Sequence, residues 1–232
     1  MKVIQTNSYE ESARAAADIL LAAVAETPGL LLGLATGGTV EGIYANIVAD
    51  YKAGKVDFSQ AHTVNLDEYV AGDEEHSYRK FMNDHLFDHV NVPQGAITIA
   101  DRLADPDAEV VRLRRFFEEN RVDIQLLGIG PNGHIGFNEP GAALAPHVHV
   151  ETLTETTIAA NARFFAKAED VPRKAITMGM ADIMNARRIL LVAHGANKRD
   201  ALKPLLDGSA VTPRNPASFL LLHPDVTVVW SE

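Results

Sequence analysis

The stretch LLGIGPNGHIGFNEPG, residues 126–141, opens with an apolar run that reads as a buried strand and then breaks into glycines, amides, a histidine and an acid. Imidazole is the side chain whose ordinary pKa lies nearest neutrality, so His134 is suited to moving a proton, with Glu139 or Asn132 to orient its ring. Gly130, Gly133 and Gly136 would keep such a loop close to a ligand. The alternative is a loop histidine hydrogen-bonded for structure. Glycines on both sides of it, directly after a strand, favour the chemical reading.

Two further segments put polar groups immediately after apolar runs. In NLDEYV, Asp67 and Glu68 are adjacent at a strand terminus, where neighbouring side chains face opposite ways, so only one is expected to enter a site. A partly desolvated carboxylate there is a general base for a carbon acid; the pair equally fits a helix cap or a solvated turn. In LATGGTVEGIY, Gly37 and Gly38 permit a tight turn that exposes backbone N–H groups at the positive end of a helix, and Thr36 and Thr39 add hydroxyl donors. This is either a phosphate cradle or a strand-to-helix turn capped by Thr39, and the two readings stand level. It matches neither the Walker pattern nor the dinucleotide fingerprint.

An acidic chain that binds phosphate must bring cations to it. Lys198 of HGANKRDAL, at the start of a helix that follows a strand, and Arg163 of NARFFAK, after the hydroxyl-rich TLTETT, are the candidates, although each alone also fits an exposed surface charge. The segment near 152–173 is expected to form a lid.

The elements that must position these groups alternate between short apolar runs and segments of helical periodicity. Strands are expected at MKVIQT and over 30–35, 62–66, 96–100, 124–130, 188–194 and 226–230, and helices over 8–26, from near Thr39, and over 77–90, 106–120 and 197–206. This rhythm predicts an α/β fold: a single domain over 1–232 with a doubly wound, mostly parallel sheet and helices on both faces, Rossmann-like. In that class ligands bind beyond the carboxyl ends of the strands, where strand order reverses, and the three polar segments fall there.

Composition narrows the partner. The chain has 232 residues, 47% apolar and 22% charged, an ordinary soluble make-up long enough for one large core. A formal charge of -10 with no long run of Lys or Arg speaks against nucleic acid and membrane surfaces, leaving a small molecule. The absence of cysteine removes disulfides, thiolate zinc sites and thiol nucleophiles. Tyr9, Glu10 and Glu11 interrupt any apolar leader, and no run reaches the ~20 apolar residues of a membrane span, so a cytoplasmic location is expected. Nine histidines raise the question of a metal, yet His147 and His149 lack a further ligand at suitable spacing, and no metal site is expected.

Taken in order, LATGGT, NLDEYV, GIGPNGHIGFNEPG, NARFF, the lysine of GANK and PASFLLLHP resemble the glucosamine-6-phosphate deaminase family over nearly the whole chain. Glu139 of FNEPG discriminates, because the related 6-phosphogluconolactonases continue their glycine-histidine loop with a SLFPG-like sequence. The resemblance implies conversion of D-glucosamine 6-phosphate and water to D-fructose 6-phosphate and ammonia, without metal or organic cofactor. It implies that His134 opens the sugar ring, with Glu139 and Asn132 polarising and orienting it, and that Asp67 takes the C2 proton. Thr36, Gly37, Gly38, Thr39, Arg163 and Lys198 would hold the phosphate. Many members of the family carry Asp where this chain has Asn132; an amide can orient its neighbours but cannot stabilise imidazolium by charge. A lactonase, or a non-catalytic sugar-phosphate sensor, are the competing readings. Glu139 disfavours the first, and the first strand beginning at Met1, with no DNA-binding module before it, disfavours the second.

Longer members of the family are hexamers activated by N-acetylglucosamine 6-phosphate through serines, an arginine and a lysine after FNEP. Here that stretch reads GAALAPHVHVE, which puts Ala142 and Ala143 for the serines, His149 for the arginine and Glu151 for the lysine, and the chain ends soon after Trp230. The expectation is a non-allosteric monomer.

Overall fold

The computed structural model describes residues 1–162, 165, 167 and 170–232. Seven parallel strands form the central sheet: β1 (Lys2–Gln5), β2 (Leu31–Leu34), β3 (His62–Asn65), β5 (Ile97–Thr98), β6 (Ile124–Leu127), β9 (Arg188–His194) and β10 (Val226–Ser231). Their order is β1-β10-β9-β6-β2-β3-β5. From the β2–β6 pair the chain winds outward through β3 to β5 on one side and through β9 to β10 on the other. The switch point therefore lies between the carboxyl ends of β2 and β6.

Both of these strands are buried along their length, as strands covered on two faces must be. Helix α1 (Tyr9–Glu26) begins at Ser8, whose hydroxyl accepts the Glu11 N–H at 3.2 Å. Ala13, Ala16, Ala17, Leu20, Ala23 and Val24 line its buried face at helical spacing. These small side chains let α2 (Gly38–Lys52) approach closely: a Cβ at Gly42 would lie 3.0 Å from that of Ala13. Further along come α3 (Tyr78–His85), α4 (Pro106–Glu119), α5 (Glu155–Asn161), α6 (Met180–Met184) and α7 (Arg199–Asp207). Among the described residues no helix is long and apolar enough to cross a membrane.

The single doubly wound domain agrees with the sequence reading; α5 and α6 stand where no helix was expected, and two further differences bear on the site. The helix expected over 77–90 stops at His85, because Leu86 leaves helical geometry (φ -142°, ψ -61°), and the chain continues as one 3-10 turn, Phe87–His89. A second, antiparallel sheet was not foreseen: β4 (Asp67–Tyr69) pairs with β8 (Lys174–Thr177), which pairs with β7 (His149–Thr152). Only Leu66 separates β3 from β4. Its N–H donates to Leu34 in the large sheet and its carbonyl accepts from Met178 beside the small one, so Leu66 joins the two.

Candidate active site

The ends of β2, β3 and β6 and the turn after β9 open on one cavity of about 640 Å³. Thr36, Gly37, Gly38 and Thr39 line it at the start of α2, Asp67 at the junction of the two sheets, His134 in the loop after β6, and Lys198 in the turn before α7. Gly37 caps α2 with φ +98°, a conformation that favours glycine, and no side chain closes that helix end. The alternative cap by Thr39 is thus not formed, and the first turn of α2 faces the cavity. Arg163 lies outside the described residues, as does part of the segment expected to form a lid.

The adjacent carboxylates part as strand alternation requires. Glu68, 1% exposed, accepts the N–H groups of Tyr69 (2.8 Å), Tyr78 (2.9 Å) and Arg79 (2.9 Å) and so secures the start of α3. Asp67 faces the cavity. Glu68 is thus the carboxylate at the helix terminus, and Asp67 is the one of the pair that enters the cavity. Desolvation, and after it the negative charge of Glu68, pushes Asp67 up to about 8.

His134 sits with Nδ1 3.3 Å from Glu139 Oε1, within ion-pair range although without hydrogen-bond geometry. Gly130 is required here for clearance, since a Cβ there would collide with the imidazole ring. Gly133 serves packing instead: at φ +88° it abuts Asn215, whose Oδ1 would lie 2.5 Å from a Cβ. Glu139 and Asn132 stand behind the histidine. The Asn132 amide donates to Glu139 Oε2 at 2.8 Å while its carbonyl accepts the His134 N–H at 3.2 Å, so one side chain ties acid to histidine loop. Burial acts to raise the Glu139 carboxyl, but the neighbouring imidazole and the donors of Thr157 and Asn132 overcome it and take the group down to about 2.

Thr157 was missed as a site residue. Its hydroxyl donates to Glu139 Oε1 at 2.6 Å from α5, and Thr154, which caps that helix, accepts the Thr157 N–H at 3.2 Å. The signal was the hydroxyl-rich TLTETT, read only as lid. Tyr69, Tyr78 and Phe137 form an aromatic wall, with Tyr78 and Phe137 stacked at 6.2 Å. The two alternating histidines pair separately, His147 with Asp182 at 2.8 Å and His149 with Glu151 at 3.2 Å.

Residues 5–230 match the family of glucosamine-6-phosphate isomerases/6-phosphogluconolactonase. The chain belongs to this family. Within the glucosamine-6-phosphate isomerase/6-phosphogluconolactonase family it is 48% identical to the glucosamine-6-phosphate deaminase of Lachnoclostridium phytofermentans over 99% of this chain and 98% of that one. It is 46% identical to that of Thermoanaerobacter pseudethanolicus over 99% and 92%. Among solved structures of the family, a monomeric glucosamine-6-phosphate deaminase superposes with a TM-score of 0.96 at 43% identity, covering 100% of this chain and 98% of the other. The 6-phosphogluconolactonase from Trypanosoma cruzi reaches 0.80 at 18% identity over 99% and 94%, a likeness of fold alone.

Proposed function

We propose that this chain is a glucosamine-6-phosphate deaminase, converting D-glucosamine 6-phosphate and water to D-fructose 6-phosphate and ammonia. The observation that carries this reading is the Glu139 carboxylate held against His134 on the wall of a cavity that Asp67 enters from the other sheet. A carbon acid needs a base set apart from the group that handles ring oxygen, and these are two such groups. His134 moves the proton from the C1 hydroxyl to the ring oxygen, breaking the C1–O5 bond. Asp67, once ionised, removes the C2 proton to give an enolamine and returns it to C1. The resulting C2 imine adds water and releases ammonia. Thr36, Gly37, Gly38, Thr39 and Lys198, with Arg163, hold the phosphate and so fix C1 and C2 against the acid–base groups. Ammonia release from glucosamine 6-phosphate by the purified chain tests the assignment. Hydrolysis of 6-phosphogluconolactone in its place would overturn it.

Lys198→Ala is expected to weaken binding of glucosamine 6-phosphate by about 10- to 100-fold, since a charge-assisted contact of this kind is worth roughly 1.5–3 kcal/mol. Unphosphorylated glucosamine should bind as poorly to the variant as to the parent. A similar loss for both sugars would remove Lys198 from the phosphate.

The protein is proposed to act as a non-allosteric monomer in the cytoplasm, on a small sugar phosphate and without nucleic acid or membrane. Ala142 and Ala143 are exposed and offer no hydroxyls, and His149 is engaged by Glu151, whose charge would repel a phosphate dianion. Substrate dependence should be hyperbolic and unaltered by N-acetylglucosamine 6-phosphate, with a monomer by light scattering at assay concentration. Sigmoidal kinetics relieved by that effector would contradict this.

A further inference from the structure

The Tyr9 hydroxyl, at the first residue of α1, sits between two backbone groups of α2. It donates to the Gly38 carbonyl at 2.9 Å and accepts the Gly42 N–H at 2.8 Å. These are the acceptor and donor, four residues apart, that a regular α-helix pairs with each other. A Cβ on Gly42 would lie 2.9 Å from that hydroxyl, so the glycine in TVEGIY is what admits it.

The consequence follows from peptide geometry. The Gly38 carbonyl and the Thr39 N–H belong to one planar trans amide, in which they point in opposite directions. Anchoring the carbonyl on Tyr9 therefore aims the Thr39 N–H away from the helix body, out of its amino end, where Gly38 and Thr39 line the cavity. That peptide needs such an anchor, because Gly37 and Gly38 leave its orientation poorly restrained and no side chain caps α2. The Tyr9 ring also lies 5.3 Å, centroid to centroid, from His194, which ends β9 and is itself held to Ser231 at 2.9 Å. Gly195, at φ +101°, and the turn Ala196–Lys198 follow directly. One side chain thus touches both halves of the phosphate cradle, the glycine turn before α2 and the root of the lysine turn.

We infer that Tyr9 is a positioning residue for phosphate: its hydroxyl locks the Gly38–Thr39 peptide and its ring keys that turn to the lysine turn. The inference rests on the phosphate cradle proposed above. Tyr9→Phe keeps the ring and leaves the Gly38 carbonyl to water, so the fold should survive while the peptide loses its anchor. The KM for glucosamine 6-phosphate should rise about five-fold, the worth of one hydrogen bond, with kcat changed less than about two-fold. Inhibition by inorganic phosphate should weaken by the same factor. Gly42→Ala, which displaces the hydroxyl sterically, should do likewise, and neither variant should alter binding of unphosphorylated glucosamine. Wild-type phosphate inhibition in Tyr9→Phe, while Thr39→Ala and Lys198→Ala lose it, would overturn the role of Tyr9 alone. Undiminished phosphate inhibition in all of these variants would overturn the cradle itself.

Discussion

Asp67→Asn is expected to lower turnover by about 10²- to 10⁴-fold, to leave sugar-phosphate affinity nearly unchanged, and to make the protein more stable. The amide keeps the shape of the carboxylate but cannot accept the C2 proton, so exchange of that proton with solvent deuterium should stop with turnover. Exchange continuing at the parent's rate would mean another residue is the base. The stability gain follows from desolvation. In the folded chain burial and Glu68 hold the Asp67 carboxyl protonated up to about 8, whereas the unfolded chain releases the proton near the ordinary carboxylate value. Between about pH 4 and pH 8 folding must take up a proton, so the parent loses stability as pH rises, by at most about 1.4 kcal/mol per unit. Asparagine carries no such dependence. The difference in Tm between variant and parent should therefore widen from pH 4 towards pH 8 and level off above it. A constant difference across that range would show that Asp67 is not destabilised by burial. The same elevation leaves Asp67 mostly protonated in the free protein at neutral pH, so bound substrate must favour the base form.

The large sheet was legible because its strands are apolar runs at regular spacing: the expected strand 30–35 corresponds to β2, Leu31–Leu34, and the expected strand 124–130 to β6, Ile124–Leu127, whereas their adjacency at the switch point is set by the order of strands in the sheet. The small sheet was not, for a physical reason. Its first strand, β4, continues almost directly from β3, so NLDEYV carries no break that would divide one sheet from another. Residues of the site were legible where a glycine turn or a strand end exposed them, as with Thr36 to Thr39, Asp67 and His134. Thr157 was not, because its role depends on a contact to Glu139 made across the fold, and a threonine on a short helix carries no local mark of that. Tyr9 was hidden for the same reason: in the sequence it only interrupts an apolar leader, while its hydroxyl bridges a helix 29 residues away.

Glu139→Gln is expected to cost at least about two orders of magnitude in kcat/KM on the cyclic substrate and much less on an open-chain analogue. Glu139 is held ionised down to about pH 2, against the direction in which burial acts, by the imidazole and by Thr157 and Asn132. Its charge 3.3 Å from Nδ1 favours the imidazolium that forms as His134 takes a proton during ring opening. Glutamine removes that charge, and it also disturbs the arrangement that carries it. Thr157 and the Asn132 amide both donate to this carboxylate, whereas glutamine offers one acceptor and one donor group. If Thr157 keeps the acceptor, the Asn132 amide must turn over, and its carbonyl then releases the His134 N–H. The histidine loses both its counter-charge and its backbone tether in one substitution. Stability gives an independent check with the opposite sign to Asp67. A carboxyl whose folded value lies near 2 contributes stability above its ordinary value near 4, and that contribution disappears as pH falls from about 4 to about 2. Parent and Glu139→Gln should therefore differ in Tm at pH 6 and converge towards pH 2. Equal kinetic losses on cyclic and open-chain substrates would move the His134–Glu139 pair out of ring opening and into the later proton transfers.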